Sequence, residues 1–280
     1  MSLLSVTRSS STRRESEPRR AMPLLLPDEV VVNLWITANA AFWTASLLCL
    51  GLDSVPRSTR LGRWLLSYKA QGEKSYLSRK DYNDALALAF VNMTFVALLA
   101  APMILYWRHG CGGRCEPLAA ESAVAPRREA FNLLACALTV DVWFYWTHRA
   151  LHWPTLYRRV HKIHHRYKAP VAAVAVYAHP LEFLVGNVAG VLLGPVLSNC
   201  HPYTAYLWVA TSLVSTCGAH SGYTFFSAQK HDDHHQFFNW NFGVGPMCDV
   251  LFGSQMDTPG VRPKTAPVVN SFGAAREKQA

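Results

Sequence analysis

The chain is short of charge. Only 16% of its 280 residues are Asp, Glu, Lys or Arg, against about 25% in ordinary soluble domains, while half are hydrophobic. That disfavours a cytosolic enzyme. It also excludes a disordered chain, which needs low hydrophobicity and high net charge. Acidic residues are the scarcer kind, 18 against 27 basic ones, giving a net charge of +9. A basic excess can serve nucleic acid or an anionic membrane surface. With so much apolar sequence it points to a bilayer and not to nucleic acid. Seven cysteines form no framework: there is no C-x2-C pair, and the odd count argues against a disulfide scaffold. Cys49, Cys136 and Cys217 fall inside apolar runs. Only Cys111 and Cys115 share a polar loop. A bridge there requires an oxidising lumen and tolerates little departure from ideal geometry. The chain also lacks an internal repeat, a separate soluble domain and the GxGxxG of a nucleotide loop.

Long charge-free runs take the place of a soluble core. Val30 to Leu52 and Ala85 to Trp107 each hold 23 residues without a charge, enough to cross a bilayer as a helix. The second ends in Tyr106-Trp107-Arg108, an interfacial signature. A third run, Ala130 to Trp146, contains one acid, Asp141. From Phe183 to Gln229 there is no Asp, Glu, Lys or Arg. That is too long for one span, and Pro195 with the Ser198–Pro202 turn predicts a hairpin of two helices, each a full or a shallow span. The expected fold is therefore all-α: an integral membrane protein of four to five membrane helices with a helical histidine-rich cap. Residues 1–29 read as a disordered Ser/Arg-rich arm and not as a secretory signal, because the apolar stretch at Leu24 is short and no cleavage site follows. Residues 30–129 read as N-terminal membrane helices, 130–257 as the functional domain and 258–280 as a tail.

If all five runs cross, the loops that carry the histidines hold 18 Lys and Arg and the opposite side holds 9. The positive-inside rule then places the histidine-rich segments in the cytoplasm.

Twelve histidines are placed unevenly. His148 and His152 form an H-x3-H, His161, His164 and His165 an H-x2-H-H, and His231, His234 and His235 a second H-x2-H-H. Residues three and four apart share a helix face, so each cluster presents imidazoles in one direction. Imidazole suits iron, zinc, copper or nickel, and eight ligands exceed what one ion takes. Two ions are the natural inference. At roughly 100° per residue, Asp141 lies on the face of His148 and His152. An acid inside a membrane segment faces the protein interior, so Asp141 is expected to hold one of these histidines by its other ring nitrogen. His179 and His220 flank the hairpin on the cluster side, and each could complete a metal shell. His109 and His201 fall on the other side and are read as non-functional. Phe183, Leu184 and Trp208 are candidates for a lipid entry path.

The stretches "DVWFYWTHRALH", "LYRRVHKIHHRYKAP", "YAHPLE", "HSGY" and "HDDHHQFFNWNFG" resemble the fatty acid hydroxylase superfamily of integral membrane di-iron enzymes. The likeness runs from about Phe131 to Gly253 and is closest to the sterol 4-alpha-methyl oxidase branch. The resemblance implies iron on His148, His152, His161, His164, His165, His231, His234 and His235, and a further family histidine at His220. One departure stands out: where the fatty acid 2-hydroxylase branch has another histidine, this chain has Thr224, a place that His179 is the candidate to fill. The resemblance further implies two iron ions, O2 as co-substrate, a sterol or other lipid substrate, and residence in the endoplasmic reticulum membrane. Purified samples of such a site can hold zinc instead. Electrons should come from NAD(P)H through a b-type cytochrome and/or a reductase. No haem-binding HPGG occurs here, so that donor is a separate protein. A non-catalytic metal-binding membrane protein and a desaturase remain open alternatives.

Overall fold

A computed structural model of the chain describes residues 28–109 and 123–256. The N-terminal arm, the Cys111–Cys115 loop and the C-terminal tail lie outside the described residues. Among those described there is no strand, only one isolated antiparallel bridge between Lys69 and Tyr223, and four helices are long and apolar enough to cross a membrane.

Helix α1 spans Glu29–Asp53. Asp28 caps it by accepting from the Val30 amide at 2.9 Å, which satisfies one of the amides a helix start leaves open. A short helix α2, Arg60–Ser67, is capped by Thr59. Helix α3 runs Arg79–Arg108 from a Ser78 cap that exchanges bonds with Asp81. It is not regular throughout: a π turn over Asn92–Val96 and a 3-10 turn over Ala97–Ala100 interrupt it. At the interruption the buried Asn92 side chain donates to the carbonyls of Val176 and Ala178. Helix α4, Pro126–Leu151, carries the third apolar run. Helix α5, Pro180–Ser198, and helix α6, Pro202–His220, are the expected hairpin. Asn199 turns the chain in the left-handed region, φ 46°, and prolines open both helices where a missing amide is harmless.

Helix α1 packs chiefly on α6, and α4 on α5. The second contact needs Gly194, where a Cβ would sit 2.6 Å from the Cα of Cys136. The outward faces are apolar: Leu99 of α3 is 64% exposed and Phe131 of α4 73%, as lipid-facing side chains should be. Helix α6 falls short of the other four in hydropathy because Thr211, Ser212, Ser215 and Thr216 interrupt it. All four line an internal cavity.

Beyond one end of the bundle the chain folds into short helices. Residues 154–161 pass from an α turn into a π turn, His164–Arg166 is a 3-10 turn, α7 is Gln229–Phe237 and α8 is Met247–Leu251. These pieces form the cap that carries the second and third histidine clusters.

Candidate metal centre

Nine histidines converge where the bundle meets the cap. His148, His152, His161, His165 and His234 form one group, and His164, His220, His231 and His235 a second. Within each group the ligand atoms lie within 4.8 Å of one another. The two H-H pairs divide between the groups: His165 and His234 serve the first, His164 and His235 the second. Neighbours on a helix point about 100° apart, so an H-H pair can address two adjacent positions. The second cluster does this on a π turn followed by a 3-10 turn. Regular helical spacing does not describe that segment.

Six of the nine outer ring nitrogens have fixed partners, five of them backbone carbonyls, which only accept. In the five-histidine group His148 Nδ1 donates to the Phe242 carbonyl at 2.8 Å and His234 Nδ1 to the Trp240 carbonyl at 2.6 Å, and His161 Nδ1 shares a hydrogen bond with the Glu182 carboxyl at 2.7 Å. In the four-histidine group His164 donates to Tyr177, His220 to Thr216 and His235 to Tyr167, each to a backbone carbonyl at 2.8 to 3.2 Å. An Nδ1 that donates leaves Nε2 as a bare lone pair. The Nε2 atoms of these rings meet one another and those of His152, His165 and His231: His152 and His161 at 3.1 Å, His165 and His234 at 3.1 Å, His220 and His231 at 2.8 Å, His231 and His235 at 3.2 Å. Burial holds His161, His165, His234 and His235 well below the ordinary imidazole range and takes His164 to about 4. The rings are therefore neutral. Neutral nitrogen donors with inward lone pairs and fixed outer hydrogen bonds are what a bound transition metal requires, and the donor set fits iron.

The structure brings in His220 but not His179. His179 Nδ1 accepts from the Leu181 amide at 3.1 Å and caps α5, outside both groups. Thr224 is exposed and contributes to neither. Asp141 is buried on the histidine face of α4, but the sequence expectation of a direct bond to a histidine is not met. Its oxygens accept from the amides of Gly245 at 2.7 Å and Cys248 at 3.2 Å. Asp249 accepts from Phe242 and Gly243 in the same loop. The two acids shape the loop whose Phe242 carbonyl orients His148, so Asp141 acts at one remove.

Glu182 is the site residue that the sequence reading passed over. It is buried at the head of α5, and its signal was an acid beside a long charge-free run.

An apolar cavity of about 620 Å³ opens from this site into the bundle, within the roughly 300–1,000 Å³ of small-molecule sites. His148, His161, His164, His220 and His231 reach its cap end, and Val31, Leu34 and Ile104 line it deep in the bundle. From His220 to Trp208 on α6, at about 1.5 Å per residue, it extends roughly 18 Å. Phe183 and Trp208 line it, whereas Leu184 packs against the helix core.

Fold and site together define a helical membrane protein with paired histidine groups at the mouth of a lipid-sized cavity. Residues 133–254 match the family described as fatty acid hydroxylase. Among curated proteins the chain is similar to fatty acid hydroxylase ahd1 of Mycosarcoma maydis, 29% identical over 79% of this chain and 56% of that one. It is similar to fatty acid hydroxylase domain-containing protein 2 of Homo sapiens, 28% identical over 76% and 63%. Methylsterol monooxygenase 1 of Rattus norvegicus is 38% identical over a shorter stretch, 44% of this chain and 46% of that one. The chain thus spans less than two thirds of the length of these relatives. No solved structure matches it.

Proposed function

We propose that this chain is a membrane-bound di-iron monooxygenase that oxidises a sterol, at the 4-methyl group, using O2 and two electrons per turnover from an external donor. The observation that carries the reading is the pair of neutral histidine groups at the cap end of a deep apolar cavity. Iron held there supplies dioxygen activation, the chemistry that reaches an unactivated C–H bond. The residues of the chain do the rest. The apolar walls of α1, α3, α5 and α6 exclude water and hold a rod-shaped lipid lengthwise, with its reacting end at the histidines. Glu182 and the carbonyls of Phe242, Trp240, Tyr167, Tyr177 and Thr216 fix the ligand rings. Thr216 and Ser215, which line the cavity beside His220, would serve the polar end of such a lipid.

In this reading residues 30–129 supply membrane helices and 130–257 the di-iron domain. The 18-to-9 basic asymmetry supports a cap facing the cytoplasm of an endoplasmic reticulum membrane, within reach of a b-type cytochrome or an NAD(P)H-linked reductase. The likeness to methylsterol monooxygenases supports the sterol. The longer match to ahd1, over 79% of this chain, favours a second reading, hydroxylation of a fatty acyl lipid at the same site.

Reconstitution with a reductase system under oxygen separates them. Oxidised 4-methylsterol is the expected product. A hydroxylated acyl lipid with no oxidised sterol would replace the substrate and leave the metal site standing. No oxygen consumption with any lipid would favour a non-catalytic metal-binding protein.

A further inference from the structure

The two histidine groups differ in what stands behind their direct hydrogen-bond partners. The outer partners of the five-histidine group, namely Glu182, Phe242 and Trp240, all lie within the family-matched stretch 133–254. The direct outer partners of the four-histidine group, Tyr177, Thr216 and Tyr167, lie in that stretch as well, but behind them stands a further layer of polar contacts from residues 53–92, outside it.

Lys69 is buried, its side chain 0% exposed, and is paired with Asp53 at 2.7 Å. Its Nζ also donates to the carbonyl of Ser221 at 2.7 Å, the residue after His220. Tyr223 donates to the same Asp53 and packs its ring 3.7 Å from Nζ. Backbone bonds from Ala70 to Gly222 and from Thr224 to Tyr68 fasten the segment over the end of α6. Two residues on, Gln71 Nε2 donates to Asp232 Oδ2 and to the Lys168 carbonyl, both at 2.7 Å. Asp232 follows His231, and Lys168 follows Tyr167, whose carbonyl takes the His235 proton. Asn92 completes the set from the π turn of α3. Its amide grips the carbonyls of Val176 and Ala178 at 2.8 and 2.9 Å, one on each side of Tyr177, whose own carbonyl takes the His164 proton. All four histidines of the second group thus have an N-terminal residue bonded next to them or next to their outer partner.

We infer that Lys69, Gln71 and Asn92 are positioning residues for the four-histidine group, so that the N-terminal segment governs occupancy of one metal position and not the other. The inference rests on the two-metal reading above. None of the three needs to touch the metal. Each limits the backbone freedom of a segment that presents a ring, and loss of such support typically weakens metal binding about 10–100-fold.

The test is metal analysis with Mössbauer spectroscopy on the full chain, purified in detergent and loaded with isotopically enriched ferrous iron. Wild type should hold two irons per chain with two resolvable signals. Gln71→Leu and Lys69→Met should each weaken the same signal and bring the iron content toward one per chain. Glu182→Gln should disturb the other signal. Lys69→Met leaves Asp53 buried without its cation, and Gln71→Leu, at a half-buried position, carries the test if that protein does not fold. Unchanged spectra in both folded variants would overturn the inference and leave the two-metal site intact. Equal loss of both signals would overturn it as well, since a general loss of structure does not discriminate between positions. Wild type that takes up no iron would instead remove the two-metal reading on which the inference rests.

Discussion

Glu182 is hydrogen-bonded to His161 at 2.7 Å and borders the cavity, so the isosteric Gln, which keeps its shape, is the substitution that tests the orientation of this ligand. Glu182→Gln should lower turnover about 10–100-fold with expression and helicity unchanged. A fall below tenfold would mean that packing alone orients His161. Asp141→Asn should act more mildly, because it bonds the 242–249 loop and reaches His148 only through Phe242. Its effect is expected to be smaller than that of Glu182→Gln in the same turnover assay. His179→Ala should keep both metals and most activity, whereas His234→Ala should lose metal. Metal content per chain separates these two at once. The eight clustered histidines were legible because three matched spacings in one chain are difficult to produce by packing. Asp141 was legible as buried but not as a loop anchor, since its partners at Gly245 and Cys248 lie more than 100 residues away. Glu182 was hidden because a single acid at a helix end also suits a solvated terminus.

At the scale of helices, the charge-free runs marked their elements to within a few residues. Val30 to Leu52 became Glu29–Asp53, and the hairpin broke at Ser198–Pro202, while Pro195, expected to help break it, stays inside α5. What the runs did not announce is the π turn in α3. It follows from Asn92 bonding a segment more than 80 residues away, and no local pattern encodes that. The second cluster is likewise irregular, a π turn followed by a 3-10 turn, although the third cluster, on the regular helix α7, divides between the two groups with the same spacing. Contact between α4 and α5 depends on Gly194. Gly194→Val should destabilise the protein by roughly 1–3 kcal/mol or more, as overpacked cores do, because the added Cβ meets backbone at Cys136 that cannot step aside. Thermal unfolding in detergent checks this, and an unchanged midpoint would contradict the packing described. Metal removal should act on other elements. With Nε2 lone pairs held 2.8 to 3.2 Å apart, the cap segments 157–166 and 229–237 should gain hydrogen exchange on chelation, while α1 and α5 remain protected. Uniform exchange throughout the chain would show that the cap does not depend on the ion.

In the whole molecule, under the proposed function, the membrane bundle would take up an apolar substrate and the cap would hold paired metals at the end of its cavity. The central claim is that nine imidazoles, seven buried and two half-buried, bind two irons in two adjacent groups. Iron content of catalytically active protein measures that claim most directly. Two irons per chain, lost together with activity on chelation and restored together by ferrous iron, is the result predicted. One iron per chain or none in protein that still oxidises lipid would contradict it.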